Sequence, residues 1–183
     1  MKKVLVPLAD GFEDIEAVSI IDVLRRGEVA VVTAALADEP VATSAHGIRM
    51  VADACLSDVL EEEYDAIILP GGGEGTNNLK KNAPLLERLA RQKRDERLVC
   101  AICAAPLVLE EAGVLDDESV TCYPTCSPSM GRRVENVPVV ADGLVVTGQG
   151  PGSAMLFALA VLAQLEGPKK AHSVANGLLT EFG

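Results

Sequence analysis

Leu98-Val99-Cys100-Ala101-Ile102-Cys103-Ala104-Ala105-Pro106-Leu107 carries the reading of the whole chain. The first five residues form a short, wholly apolar run, as in a strand buried on both faces. Pro106 suits the first turn of a helix, where a missing backbone donor costs nothing. Cys103 therefore falls on the corner between strand and helix, at the carboxyl end of a sheet. Its small neighbours Ala101, Ala104 and Ala105 meet the steric demand of a tight turn. Hydrolases with a Gly-x-Ser-x-Gly turn carry their serine on the same kind of corner. Free amides at a helix start favour negative charge, so a cysteine there is expected to lose its proton more easily. A second reading stands beside this one, because free cysteines are often buried and simply pack. The segment by itself leaves both open.

Outward from this corner the chain alternates. Val4–Leu8, Val29–Ala34 and Ala66–Leu69 read as strands. Glu13–Arg26 reads as a helix with Ala17, Ile20, Ile21 and Leu24 on one face, opened by acidic residues and closed by Arg25 and Arg26 before Gly27. The Val41–Ala54 stretch reads as a hairpin turning near His46-Gly47. Pro84–Gln92 is a predicted helix with Asn82 as its cap, and a further helix runs from the Cys103 corner to about Ala112. Ser119–Tyr123 is a predicted strand. Asp142-Gly143 marks a hairpin between Val137–Val140 and Leu144–Thr147. Ala154–Leu165 and Lys169–Leu179 complete the set as helices separated by Gly167-Pro168. Strands alternating with helices predict a mostly parallel sheet covered on both faces, as one domain over residues 1–183. In such sheets ligands bind outside the carboxyl ends of the strands. Cys103, Gly71-Gly72-Gly73 and Asp10-Gly11 all lie at such ends.

Composition narrows the function classes. The 183 residues carry a net charge of −11, with no Trp, three Phe and two Tyr. An acidic surface without a basic stripe argues against nucleic acid and anionic membranes as partners. The apolar run Val4–Ala9 stops at Asp10, too short for a signal core. Leu144–Leu165 lacks charge but is broken by Gly148-Gln149-Gly150-Pro151-Gly152, so no membrane span is expected. A cytoplasmic protein follows as the expectation, with its five cysteines as thiols. No exposed apolar stretch is evident.

Three features surround Cys103. The glycine run is neither a Walker loop nor a dinucleotide loop. It reads either as a flexible turn or as a backbone that approaches a reacting group, with a glycine amide facing a developing oxyanion. Glu16 lies in the first turns of a helix that starts at the same sheet edge. A carboxyl group packed against a thiolate has its pKa raised, so a protonated Glu16 can donate to sulfur and later move protons. His46 and His172 stand outside any metal-ligand spacing, and the cysteines do not make two paired Cys-x-x-Cys knuckles, so no metal is expected. Cys100-x-x-Cys103 has the redox spacing, but its first cysteine lies inside the strand. Cys100 reads as core. Cys122 and Cys126 read as ordinary thiols near the site, with one of them resolving an oxidised Cys103 as the minority reading.

Asp10-Gly11-Phe12-Glu13-Asp14-Ile15-Glu16, Leu69-Pro70-Gly71-Gly72, Ala101-Ile102-Cys103-Ala104-Ala105-Pro106 and Gly150-Pro151-Gly152-Ser153 occur in this order. Together they resemble the ThiJ/PfpI superfamily, in the branch of the Parkinsonism-associated protein deglycase and its bacterial relatives. The resemblance spans nearly the whole chain. It implies a flavodoxin-like three-layer sandwich of the class I glutamine amidotransferase-like kind, and a homodimer. It also implies a nucleophilic Cys103, a protonated Glu16 and an oxyanion site at the amides of Gly72 and Ala104. The implied activity is glyoxalase or deglycase action on 2-oxoaldehydes or glycation adducts without a cofactor; redox sensing in oxidative stress and chaperone action are the alternatives.

Two departures from the pattern matter. Tyr123-Pro124 stands where the branch usually has a histidine before the proline, leaving Glu16 or Tyr123 for proton transfer. His46 stands near the position of a common family arginine, with a surface histidine as the plainer reading. Ala104 directly after the cysteine, where the protease-like branch has histidine, argues against a peptidase. His172-Ser173-Val174 does not supply the His-x-Glu of the amidotransferases.

Overall fold

Val4, Val6 and Leu8 point to one side of the first strand and Leu5 to the other, and every one of them is buried. A strand without a wet face needs a layer on each side. The computed structural model describes residues 1–182 and shows both layers. Its strands are β1 (Lys3–Leu8), β2 (Ala30–Ala35), β3 (Val41–Thr43), β4 (Arg49–Val51), β5 (Ala54–Cys55), β6 (Ala66–Leu69), β7 (Leu98–Ile102), β8 (Val139–Asp142) and β9 (Val145–Gly148). Its helices are α1 (Asp14–Arg26), α2 (Leu56–Val59), α3 (Gly73–Lys80), α4 (Ala83–Arg94), α5 (Pro106–Glu111), α6 (Ala154–Glu166) and α7 (Pro168–Gly177).

Seven strands form one sheet in the order β5-β2-β1-β6-β7-β9-β8, parallel except where β8 meets β9. Helices α1, α6 and α7 bury Ile20, Leu24, Phe157 and Leu162 against one face. Helices α4 and α5 bury Leu85, Leu89, Val108 and Leu109 against the other. This is the mostly parallel sheet covered on both faces that the alternation predicts, and the flavodoxin-like three-layer sandwich that the resemblance implies. β3 and β4 pair as a separate antiparallel hairpin closed over Ser44–Ile48, as expected around His46-Gly47.

Asn82 caps α4 by accepting the Leu85 amide at 2.9 Å. Asn82→Ala is expected to cost about 1 kcal/mol, read as a Tm lower by about 2–4 °C. An unchanged Tm would show that the cap contributes nothing.

Three expectations need correction. Ser119–Tyr123 is not a strand: it makes only an isolated bridge from Val120 to Val134. β9 already has β7 and β8 on its two sides, so the segment binds side chains and loop carbonyls instead. The Thr121 amide donates to Thr147 Oγ1 at 2.9 Å, and the Tyr123 amide to the Cys103 carbonyl at 2.8 Å. Its apolar residues are buried without a ladder. Secondly, residues 73–80 form α3 where a turn was one reading, with Gly72 at φ 95° as its amino-terminal cap. Finally, an apolar surface does exist, since Ile15, Val18, Ile48 and Val51 are all exposed.

Candidate active site

Cys103 sits at the corner where β7 ends, at φ 65°, in the left-handed region that L-residues avoid. The turn is held on both sides. The Cys103 amide donates to the Gly148 carbonyl at 2.9 Å, its carbonyl accepts from Tyr123, and the Ala105 amide closes onto Ile102 at 3.0 Å. Strain of this kind persists where the surroundings over-determine it, and it clusters at functional sites.

Glu16 comes to the corner from α1, two residues after its start. The side chain is fully buried. Oε2 accepts the Gly71 amide at 2.7 Å. Oε1 is buried and has no partner of hydrogen-bonding geometry. Gly71 is the contact the sequence reading missed. A Cβ built on it would lie 2.7 Å from Cys103 Cβ and 2.7 Å from Glu16 Oε2, so only a residue without a side chain lets the two groups face each other. The run of three glycines was the signal available.

Electrostatics couples the pair. Burial raises the Glu16 pKa to about 7, against the lowering effects of the Gly71 amide and the Cys103 thiol. The expected easier ionisation of Cys103 is corrected. Burial, then the neighbouring Glu16 carboxyl, push the thiol up to about 12. Backbone amides of Gly72 and Ala104 face the sulfur and act the other way, but desolvation is the larger effect. The two groups therefore titrate as one unit, whose first proton leaves near neutrality and whose second is held far above it.

The accessory residues divide. Tyr123 is 42% exposed. A Cβ on Gly150 would lie 3.2 Å from the tyrosine ring. With Pro124, Pro138, Gln149 and Gly150–Ser153, Tyr123 lines a cleft of about 350 Å³. His46 is not a lone surface histidine: its Nδ1 lies 2.7 Å from Asp14 Oδ2, over the first turn of α1. That contact raises its pKa. Ser44 bonds the other Asp14 oxygen. Among the described residues, Glu13, Asp14 and His46 are a group whose ligand atoms lie within 4.8 Å of one another, so His46 does stand among potential metal ligands. Cys126 is half-buried and not among the groups that act on Cys103. Cys100 is fully buried in the core, where burial drives its thiol far up. All five cysteines are free thiols.

The DJ-1/PfpI family profile matches residues 2–164. "Protein DJ-1 homolog B" of Arabidopsis thaliana is 41% identical over 97% of this chain and 41% of its own length. The chain spans less than half of this relative and of a second Arabidopsis one, of which it covers 46%. A Caenorhabditis elegans protein, "Glutathione-independent glyoxalase DJR-1.2", is 39% identical over 96% of this chain and 94% of its own length. Crystalline Drosophila melanogaster DJ-1beta superposes with a TM-score of 0.95 at 35% identity, covering 99% of each chain. A match over most of the chain, joined to a strained cysteine corner facing a buried carboxyl, has one reading: the chain belongs to the DJ-1/PfpI family.

Proposed function

We propose that the chain is a cysteine-dependent glyoxalase and deglycase that works without a cofactor on 2-oxoaldehydes such as methylglyoxal or on early glycation adducts. The observation that carries the reading is the Glu16 carboxyl, pKa raised to about 7, buried against a Cys103 sulfur that also faces the Gly72 and Ala104 amides. In the singly ionised pair one proton is shared between Glu16 and Cys103, and the reacting form is the one with the proton on Glu16 and the charge on sulfur, which has two amide donors. The thiolate adds to the aldehyde carbon, and the two amides hold the resulting oxyanion. Glu16 moves a proton between the adjacent carbons through an enediol. Water then cleaves the carbon–sulfur bond. The aldehyde carbon is oxidised, the ketone carbon is reduced, and the net change is addition of water to give a 2-hydroxy acid. The test is lactate formation from methylglyoxal without glutathione or metal. Equal rates for wild type and Cys103→Ala would sink the mechanism.

Tyr123 in place of the usual histidine favours a second reading, a redox sensor without turnover. Peroxide would convert the Cys103 thiol to sulfenic acid with release of water, and a second equivalent would give sulfinic acid. Glu16 Oε1, which lacks a partner, would donate to a product oxygen when protonated. Intact mass after mild peroxide separates the two: oxygen addition at Cys103 without lactate formation supports the sensor.

The homodimer is part of the same proposal. Val18 and Ile21 of α1 share a groove with Met50 and Val51 of the β3–β4 hairpin. Val51 is 78% exposed in the single chain. Val51→Glu is expected to weaken self-association at least tenfold, about 1.4 kcal/mol or more, read as a shift towards monomer in light scattering. An unchanged mass would place the interface elsewhere.

A further inference from the structure

Arg88 of α4 is a buried cation without an ion-pair partner among the described residues. It is 4% exposed. Its Nε donates to the Leu60 carbonyl at 3.0 Å and its Nη2 to the Glu62 carbonyl at 3.0 Å. The remaining nitrogen, Nη1, is buried and has no hydrogen-bond partner. Its neighbours Arg91 and Arg97 pair with Glu61 and Glu63, each at 2.9 Å, while Arg88 joins none of the ion pairs among the described residues. A buried charge is costly unless it is paired, and an orphaned donor on it adds to that cost. Burial, then the nearby Arg91 cation, hold its pKa below the ordinary arginine value, against the opposing charges of Glu61 and Asp95.

The same side chain borders a cavity of about 210 Å³, lined by Glu61, Pro84, Glu87, Arg88, Arg91 and Arg94. Residues three apart share a helix face, which places Arg88, Arg91 and Arg94 in one row. Glu61 is already neutralised by Arg91. Three arginines against two glutamates on the lining of one hollow stand out in a chain of net charge −11.

We propose that this cavity binds the phosphate group of a small phosphorylated metabolite. Arginine forks match phosphate oxygens in paired hydrogen bonds, and a weakly hydrated guanidinium is the cation best suited to a buried anion. The bound anion would supply a counter-charge on the side of the cavity that Arg88 borders. Arg91 and Arg94 would close the outer side. The hollow suits a phosphate with a short carbon stub. It lies apart from Cys103: the loop that receives Arg88 leads into Asp65, which binds the Lys3 amide at the amino-terminal edge of the sheet, whereas Cys103 is at the carboxyl edge.

Thermal unfolding tests this with inorganic phosphate and glycerol 3-phosphate as probes, against sodium chloride at equal ionic strength. Both probes are expected to raise Tm saturably, by about 5–10 °C at 100 times their Kd. The Arg91→Ala/Arg94→Ala variant is expected to keep its Tm in chloride within a few degrees and to lose the phosphate increment. If that variant fails to fold, Arg94→Glu serves, with phosphate binding weakened at least about tenfold. No increment over chloride, an increment that survives the folded variant, or a response to inorganic phosphate alone would overturn the proposal.

Discussion

Cys103→Ala is expected to leave methylglyoxal unconverted, with lactate formation at the uncatalysed background. The Gly72 and Ala104 amides remain in that variant, yet without sulfur no bond to the aldehyde carbon forms. Misfolding would not explain the loss. Cys103 is 8% exposed, and removing one buried sulfur costs about 1 kcal/mol. A companion variant checks the corner itself. Because position 103 has φ 65°, Cys103→Gly is expected to be more stable than Cys103→Ala by about 1 kcal/mol, the reverse of the usual glycine penalty. Chemical denaturation of the two variants measures this. An alanine variant as stable as the glycine one would remove the strain argument, and lactate formation by either would remove the nucleophile.

Glu16→Gln is expected to lower kcat by about 10²–10⁴, with a smaller effect on KM, because the amide can donate to sulfur but cannot carry a proton between carbons. In wild type the rate is expected to rise through pH 7 as the pair loses its first proton. That limb should vanish in the variant. Stability follows the same group. The folded protein keeps the Glu16 proton up to about pH 7, whereas the unfolded chain releases it near 4.5. Between those values the folded state binds more protons, so stability falls as pH rises. The contribution is complete below pH 4.5, is lost by about pH 7, and is of order 3 kcal/mol. Melting at pH 5 and pH 8 should show a larger loss for wild type than for Glu16→Gln. Parallel curves would mean that Glu16 is charged at both.

Where apolar spacing and caps coincide, sequence and structure agree. The helix predicted over Glu13–Arg26 is α1 with Glu13 as its cap, and Asn82 caps α4 as expected. Both ends of those helices are set by residues within one turn. α3 was not legible, because Gly73 and Gly75 lower helix propensity and its buried residues show little apolar spacing. The Ser119–Tyr123 segment has the composition of a strand but no free sheet partner, which depends on where β8 and β9 lie. His46 looked isolated because Asp14, distant in sequence, reaches it through the tertiary fold.

The chain by itself determined the alternation of buried strands and amphipathic helices, and hence a parallel sheet with Cys103 at a strand-to-helix corner and Glu16 in the first turn of α1. Those features follow from local spacing, caps and turn sterics. Only the tertiary structure decided that Gly71 lets Glu16 meet Cys103, that burial raises the carboxyl to about 7 and the thiol to about 12, and that Arg88 is buried without an anion. Desolvation and charge pairing arise from groups distant in sequence, so no local pattern records them.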